Sequence, residues 1–157
     1  MGLTRPKLES TRLRAFLQRH QTIAIDTCVF IYQLEANPRY VSLTDDIFAW
    51  VERGDSKAVA CTIAMTEILV HPYRNLDEQR VESHYGLLVT YPNLEWIAPD
   101  LQIADLAASI RGLHRLKTPD ALHAATAVRS GATGLITNDP DFEKVETYET
   151  LVLDRLL

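Results

Sequence analysis

The sequence predicts an α/β domain whose mostly parallel sheet is covered by helices on both faces. Short β-branched or wholly apolar runs (TIAI, KAVAC, GLIT) recur along the chain, and longer stretches with the apolar density of helices lie between them. The 157 residues are one domain's length, 46% are hydrophobic, and no linker, repeat or low-complexity tract interrupts them.

Leu13, Phe16 and Leu17 recur at helical spacing within residues 1–20, which predicts an amphipathic N-terminal extension docked on a body formed by residues 21–157. Residues 22–25 read as a strand ending at Asp26, and residues 28–34 as a helix packed on the sheet. A helix over 41–51 precedes Gly54, and residues 57–61 form a second buried strand. Thr62 is suited to cap the helix that follows, which is expected to stop at Pro72. Helices over 76–90 and 100–116 flank a short strand, 94–98, punctuated by Pro92 and Pro99. Thr118 and Pro119 start a helix to about Arg129, because proline in the first turn sacrifices no intrahelical bond. Residues 134–137 and 151–153 are the last strands, the final one at an edge.

Charge and cysteine content narrow the function. A net charge of −5 excludes a chain that coats nucleic acid nonspecifically. The first twenty residues nevertheless carry +4, through Arg5, Lys7, Arg12, Arg14 and Arg19 against Glu9. Cys28 and Cys61 sit in apolar runs without C-x-x-C spacing, which argues against disulfides and zinc ribbons and for a reducing, cytoplasmic setting. No apolar stretch is long enough for a membrane span, and no secretory signal opens the chain. The five histidines lack ligand spacing, and neither phosphate-binding glycine motif is present.

In a parallel α/β sheet, chemistry gathers beyond the carboxyl ends of the strands. Asp26 ends the first strand, Asp139 follows GLIT, Glu67 lies in the opening turns after KAVAC, and Asp120 is in the first turn begun by Thr118 and Pro119. Each has a plainer reading. Asp26 suits a helix cap, Asp120 a first-turn acid, Asp139 and Asp141 turn formers, and Glu67 a solvated stripe. If they converge, two charges 4 Å apart repel by about 4 kcal/mol at an effective dielectric of 20, so a cation, shared protons or a basic partner must accompany them. Oxygen donors without His or Cys select Mg²⁺ or Mn²⁺ over Zn²⁺. The basic excess of Arg111, His114, Arg115 and Lys117 is suited to receive a phosphate backbone. His123, three residues after Asp120, is expected to pack against the sheet.

The stretches IDTCVFIY (25–32), MTEIL (65–69), TPDALHAATA (118–127) and LITNDPDF (135–142) give the chain a resemblance. It resembles the PIN-domain ribonucleases, and most closely the VapC-type toxins of toxin–antitoxin pairs. The resemblance implies a three-layer α/β/α domain with a central sheet of four to five strands, and an endoribonuclease using Mg²⁺, with Mn²⁺ as substitute. It implies a metal site of Asp26, Glu67, Asp120 and Asp139, with Asp141 as an extra ligand or supporting group. Thr137 and Asn138 share a turn with Asp139; Thr137 is suited either to orient a carboxylate or to bond backbone at the strand end, and Thr27 has the same two readings. An all-carboxylate site has no phosphate grip of its own, so Arg111, Arg115 and Lys117 are expected to bind RNA. A homodimer and a cognate antitoxin protein are implied as partners. The chain departs from the pattern in the twenty or so residues before the first strand. Two other readings are a PIN-like module that binds RNA or protein without cleaving, and an aspartyl phosphotransferase. The second would need an aspartate two residues after Asp26, where Cys28 stands.

Overall fold

A computed structural model describes residues 8–157. Arg5 and Lys7 of the basic segment, and the start of the expected extension, lie outside the described residues. Five strands, β1 (Thr22–Ile25), β2 (Lys57–Cys61), β3 (Leu94–Ile97), β4 (Gly134–Thr137) and β5 (Glu149–Val152), form one sheet in the order β3-β2-β1-β4-β5. All four pairings are parallel, with Ala24 in register with both Val59 and Leu135. Among the described residues, seven α-helices accompany them: α1 (Leu8–Arg19), α2 (Thr27–Leu34), α3 (Val41–Glu52), α4 (Ile63–Arg74), α5 (Glu78–Val89), α6 (Leu101–His114) and α7 (Thr118–Arg129).

Strand alternation divides the core into two layers. Ile23, Ile25, Ala58, Ala60 and Ile136 face a cluster with Phe16, Phe30, Ile47 and Ile68 from α1 to α4. Ala24, Val59 and Leu135 face the opposite way, onto Ile103 and Ile110 of α6 and the alanines 121, 124, 125 and 127 of α7. Those small side chains let α7 approach the sheet closely. The result is the expected three-layer α/β/α arrangement.

α1 belongs to this core. Leu13, Phe16 and Leu17 are at most 2% exposed, and the Arg12 guanidinium donates to the Arg155 carbonyl at 2.7 Å. Its exit is fixed by His20, whose ring nitrogens contact Thr133 Oγ1 at 2.8 Å and Glu149 Oε2 at 3.0 Å. The helix lies so close to β4 that a Cβ on Gly134 would sit 2.8 Å from carbon atoms of both His20 and Phe16.

Three local expectations are corrected. Thr62 has helical backbone angles and its side chain makes no capping bond. α4 continues through Pro72 to Arg74, because a proline near a helix end forfeits only its own N–H and this ring is buried. Short 3-10 turns at Pro140–Lys144 and Leu153–Leu156 were not foreseen. Among the described residues, no helix is long and apolar enough to cross a membrane.

Candidate active site

The chain runs from β1 outward through β2 to β3, then returns to the other side of β1 for β4 and β5. The reversal leaves a crevice beyond the carboxyl ends of β1 and β4, where such sheets bind ligands. An open cleft of about 570 Å³ occupies that place, and Asp26, Thr27, Glu67, Asp120, Asn138 and Asp139 line it with Cys28, Ile31, Tyr32 and Val70.

Asp26 is held at both oxygens. As N-cap of α2 it accepts the Thr27 N–H at Oδ1, 2.8 Å away, so the capping role and a place in the cleft coincide. Oδ2 accepts the Thr137 hydroxyl at 2.7 Å, and that hydroxyl oxygen accepts the Asp139 N–H at 3.0 Å. Thr137 thus ties the acid after β1 to the acid after β4. Asp139 in turn accepts the Asp141 N–H at 2.9 Å, the bond that opens the 3-10 turn.

Across the cleft, Glu67 accepts the Thr27 hydroxyl at Oε1, 2.8 Å away. The same oxygen lies 2.8 Å from His123 Nε2, and this nitrogen stands 3.8 Å from Asp26 Oδ1. His123 does not merely pack against the sheet. Its position three residues after Asp120 puts both on one face of α7, the one signal in the sequence that could have revealed it.

The electrostatics are those of an acidic cluster that His123 compensates in part. Burial raises the Asp26 carboxyl, against the opposing pull of His123 and the Thr137 and Thr27 hydrogen bonds. Burial, followed by the charges of Asp26 and Asp139, pushes Asp120 up to about 6. The hydrogen bond from His123 holds Glu67 below the usual carboxylate range. Among the described residues, none of the four acids pairs with a lysine or arginine.

The cleft's donor set fits a hard divalent ion in chemistry: carboxylate oxygens, two of them on carboxyls that burial raises, with no lysine or arginine paired to them among the described residues. The side chains are not closed around such an ion. Among the described residues, no group of three or more His, Cys, Asp or Glu stands ready to hold one.

Other expected site residues fall elsewhere. Asp141 lies outside the cleft, because the turn after Pro140 swings its carboxylate outward to Lys144, 3.3 Å away. Asn138 lines the cleft but spends its amide on the Tyr32 and Tyr40 hydroxyls, at 3.1 and 3.0 Å. Arg111, Arg115 and Lys117 line a separate pocket with Leu116. Part of Arg111's donor capacity is used on the Leu116 carbonyl, 3.1 Å away.

Comparison with known proteins agrees with this architecture. The PIN domain family profile matches residues 23–148. The chain belongs to the PIN domain family. No curated protein sequence matches it. Among solved structures, this PIN domain is similar to a chain of a toxin–antitoxin complex from Klebsiella pneumoniae, with 21% identity, TM-score 0.63, and coverage of 83% of this chain and 97% of that one. It is also similar to a chain of VapBC2 from Rickettsia felis bound to a promoter DNA fragment, at 15% identity, TM-score 0.63 and the same coverages. A chain of FitAcB from Neisseria gonorrhoeae gives 18% identity and TM-score 0.60, again over 83% and 97%. At these identities the likeness is one of fold.

Proposed function

We propose that this PIN domain is a metal-dependent endoribonuclease that hydrolyses RNA phosphodiester bonds and serves as the toxin of a type II toxin–antitoxin module. The observation that carries the reading is the meeting of Asp26, Glu67, Asp120 and Asp139, from four separate segments, in one cleft with no lysine or arginine paired to them among the described residues. In this reading the four carboxylates hold Mg²⁺, or Mn²⁺ in its place. The ion, when bound, supplies charge stabilisation for the phosphodiester and lowers the cost of ionising water.

The chain's own residues supply placement and proton transfer. Thr137 and the Thr27 amide fix both oxygens of Asp26. Asp120 has surroundings that favour taking up a proton, which suits the carboxylate that accepts one from the attacking water. Among the described residues the cleft has no lysine or arginine of its own to grip phosphate, so Arg115 and Lys117, exposed in the turn between α6 and α7, are assigned to the RNA backbone, with Arg111 shaping their turn. Arg115→Gln with Lys117→Gln is expected to raise KM several-fold with kcat nearly unchanged. It should also flatten the salt dependence of RNA binding by about one unit of slope per contact. A fall in kcat with KM unmoved would remove these residues from substrate binding.

The resemblance to VapC toxins, together with a fold neighbour taken from a toxin–antitoxin complex, supports a cognate antitoxin protein. The homodimer is what the resemblance implies, and the cytoplasmic setting follows from the cysteine usage. The deciding experiment is RNA cleavage with Mg²⁺ or Mn²⁺ and with EDTA, comparing wild type with Asp26→Asn. Cleavage should require the metal and fall by at least about 100-fold in the variant. Cleavage that survives the substitution belongs to a contaminant and ends the proposal. The aspartyl-phosphotransferase alternative gains nothing from the structure. Position 28 carries a thiol that burial pushes up to about 12, not a second acid.

A further inference from the structure

α7 brings Asp120 to the cleft and, one turn later, sets His123 against Glu67. The imidazole is 5% exposed. Its Nε2 lies 2.8 Å from Glu67 Oε1 and 3.2 Å from Thr27 Oγ1, and the Thr27 hydroxyl itself donates to Glu67 Oε1 at 2.8 Å. The three atoms form a closed triangle, which fixes the protons. Thr27 has one hydrogen and spends it on Glu67, and a ring nitrogen 2.8 Å from a carboxylate oxygen must carry a hydrogen or repel it. The imidazole therefore donates through Nε2–H. Glu67 Oε1 is restrained from two sides, while Oε2 has no hydrogen-bond partner among the described residues.

We propose that His123 is a positioning residue that acts through Glu67, selecting which carboxylate oxygen faces the cleft and holding it there for a divalent ion. The inference rests on the functional reading above. Glutamate has three side-chain torsions, and ordering a long flexible side chain as an ion binds costs conformational entropy that a side chain already held in place does not lose. Glu67 comes from α4, whereas its two restraints come from α2 and α7, so the triangle fixes the side chain relative to elements on which the other acids depend. Partners that orient a metal ligand typically change affinity by about 10- to 100-fold when removed.

The test uses the full chain in two measurements. Mn²⁺ titration calorimetry compares wild type with His123→Leu, which keeps bulk and removes the donor, and with His123→Gln, whose amide nitrogen reaches toward the place of Nε2. The leucine variant should bind Mn²⁺ about tenfold or more weakly, and the glutamine variant should recover to within about threefold of wild type. Wild-type affinity in the leucine variant, or equal losses in both, overturns the proposal and leaves His123 a packing residue. Side-chain ¹⁵N spectra of the metal-free protein should show His123 protonated at Nε2, with that proton's shift moved by Glu67→Gln. An Nδ1–H tautomer, or no response to that substitution, also overturns it. A wild-type chain that takes up no Mn²⁺ sinks the nuclease reading; the contact with Glu67 then stands or falls on the nitrogen spectrum.

Discussion

Asp120→Asn is expected to make the metal-free protein more stable near pH 7.5 while reducing RNA cleavage by about 100-fold or more. The carboxyl stands at about 6 in the folded chain, against an ordinary value of 3.8. A group raised on folding contributes stability that is fully present below pH 3.8 and is lost as pH rises through about 6. At pH 7.5 the ionised side chain therefore opposes folding. The full difference corresponds to about 3 kcal/mol. Asp120 is partly exposed, so solvent screening leaves about 1 kcal/mol, or roughly 2–4 °C in Tm for a domain of this size. Asp26 is displaced in the same direction, whereas Glu67 is displaced in the opposite one and loses its stabilising contribution as pH falls through its lowered folded value. Melting curves from pH 4 to 8, with and without Mn²⁺, check the prediction. The wild-type Tm should gain on Mn²⁺ addition at pH 7.5, and the variant should start higher and gain less. Unchanged melting in the variant, with an undiminished response to the ion, would remove Asp120 from the charge cluster.

Gly134→Ala should destabilise the fold by about 2–3 kcal/mol, a large effect for one methyl group. The added Cβ would lie 2.8 Å from His20 and Phe16 carbons, inside any permitted contact. Phe16 is 1% exposed and the His20 ring is pinned by Thr133 and Glu149, so neither can swing away cheaply. Overpacking of this kind typically costs about 1–3 kcal/mol. Urea denaturation should show the midpoint falling with the m-value retained. Phe16→Leu in the same chain should recover part of the loss, because the two sites share one contact and cannot be additive. A neutral Gly134→Ala would mean that α1 sits on β4 far more loosely than the geometry states. The consequence reaches beyond the family match, which begins at residue 23. The helix before it fills part of the same core.

Much of this was legible because strand ends and carboxylates announce themselves. TIAI, KAVAC and GLIT are too short and too apolar for surface helices, and the acid after each lies where a parallel sheet gathers its chemistry. Asp120 was legible through Thr118 and Pro119, which start its helix. His123 was not. A single histidine in an alanine-rich helix reads as core, and only its spacing from Asp120 hints otherwise, because the partner that gives it meaning, Glu67, is 56 residues away. Asp139 and Asp141 could not be told apart by composition. The Pro140 turn sends one carboxylate inward and the other to Lys144, a distinction made by backbone direction. For Arg111, sequence showed the charge but not the Leu116 carbonyl that already occupies it.

Asn138 carries a consequence of its own. Its amide nitrogen donates to two stacked tyrosines whose ring centres are 4.1 Å apart, and its oxygen accepts the Asp154 N–H at 2.9 Å. Tyr40 adds its own bond to the Asp154 carboxylate at 2.6 Å. One amide thereby laces the rim beside Tyr32, the entrance of α3 and the chain's last turn into a single knot. The rim at Tyr32 and the turn at Asp154 are therefore expected to loosen as one cooperative unit.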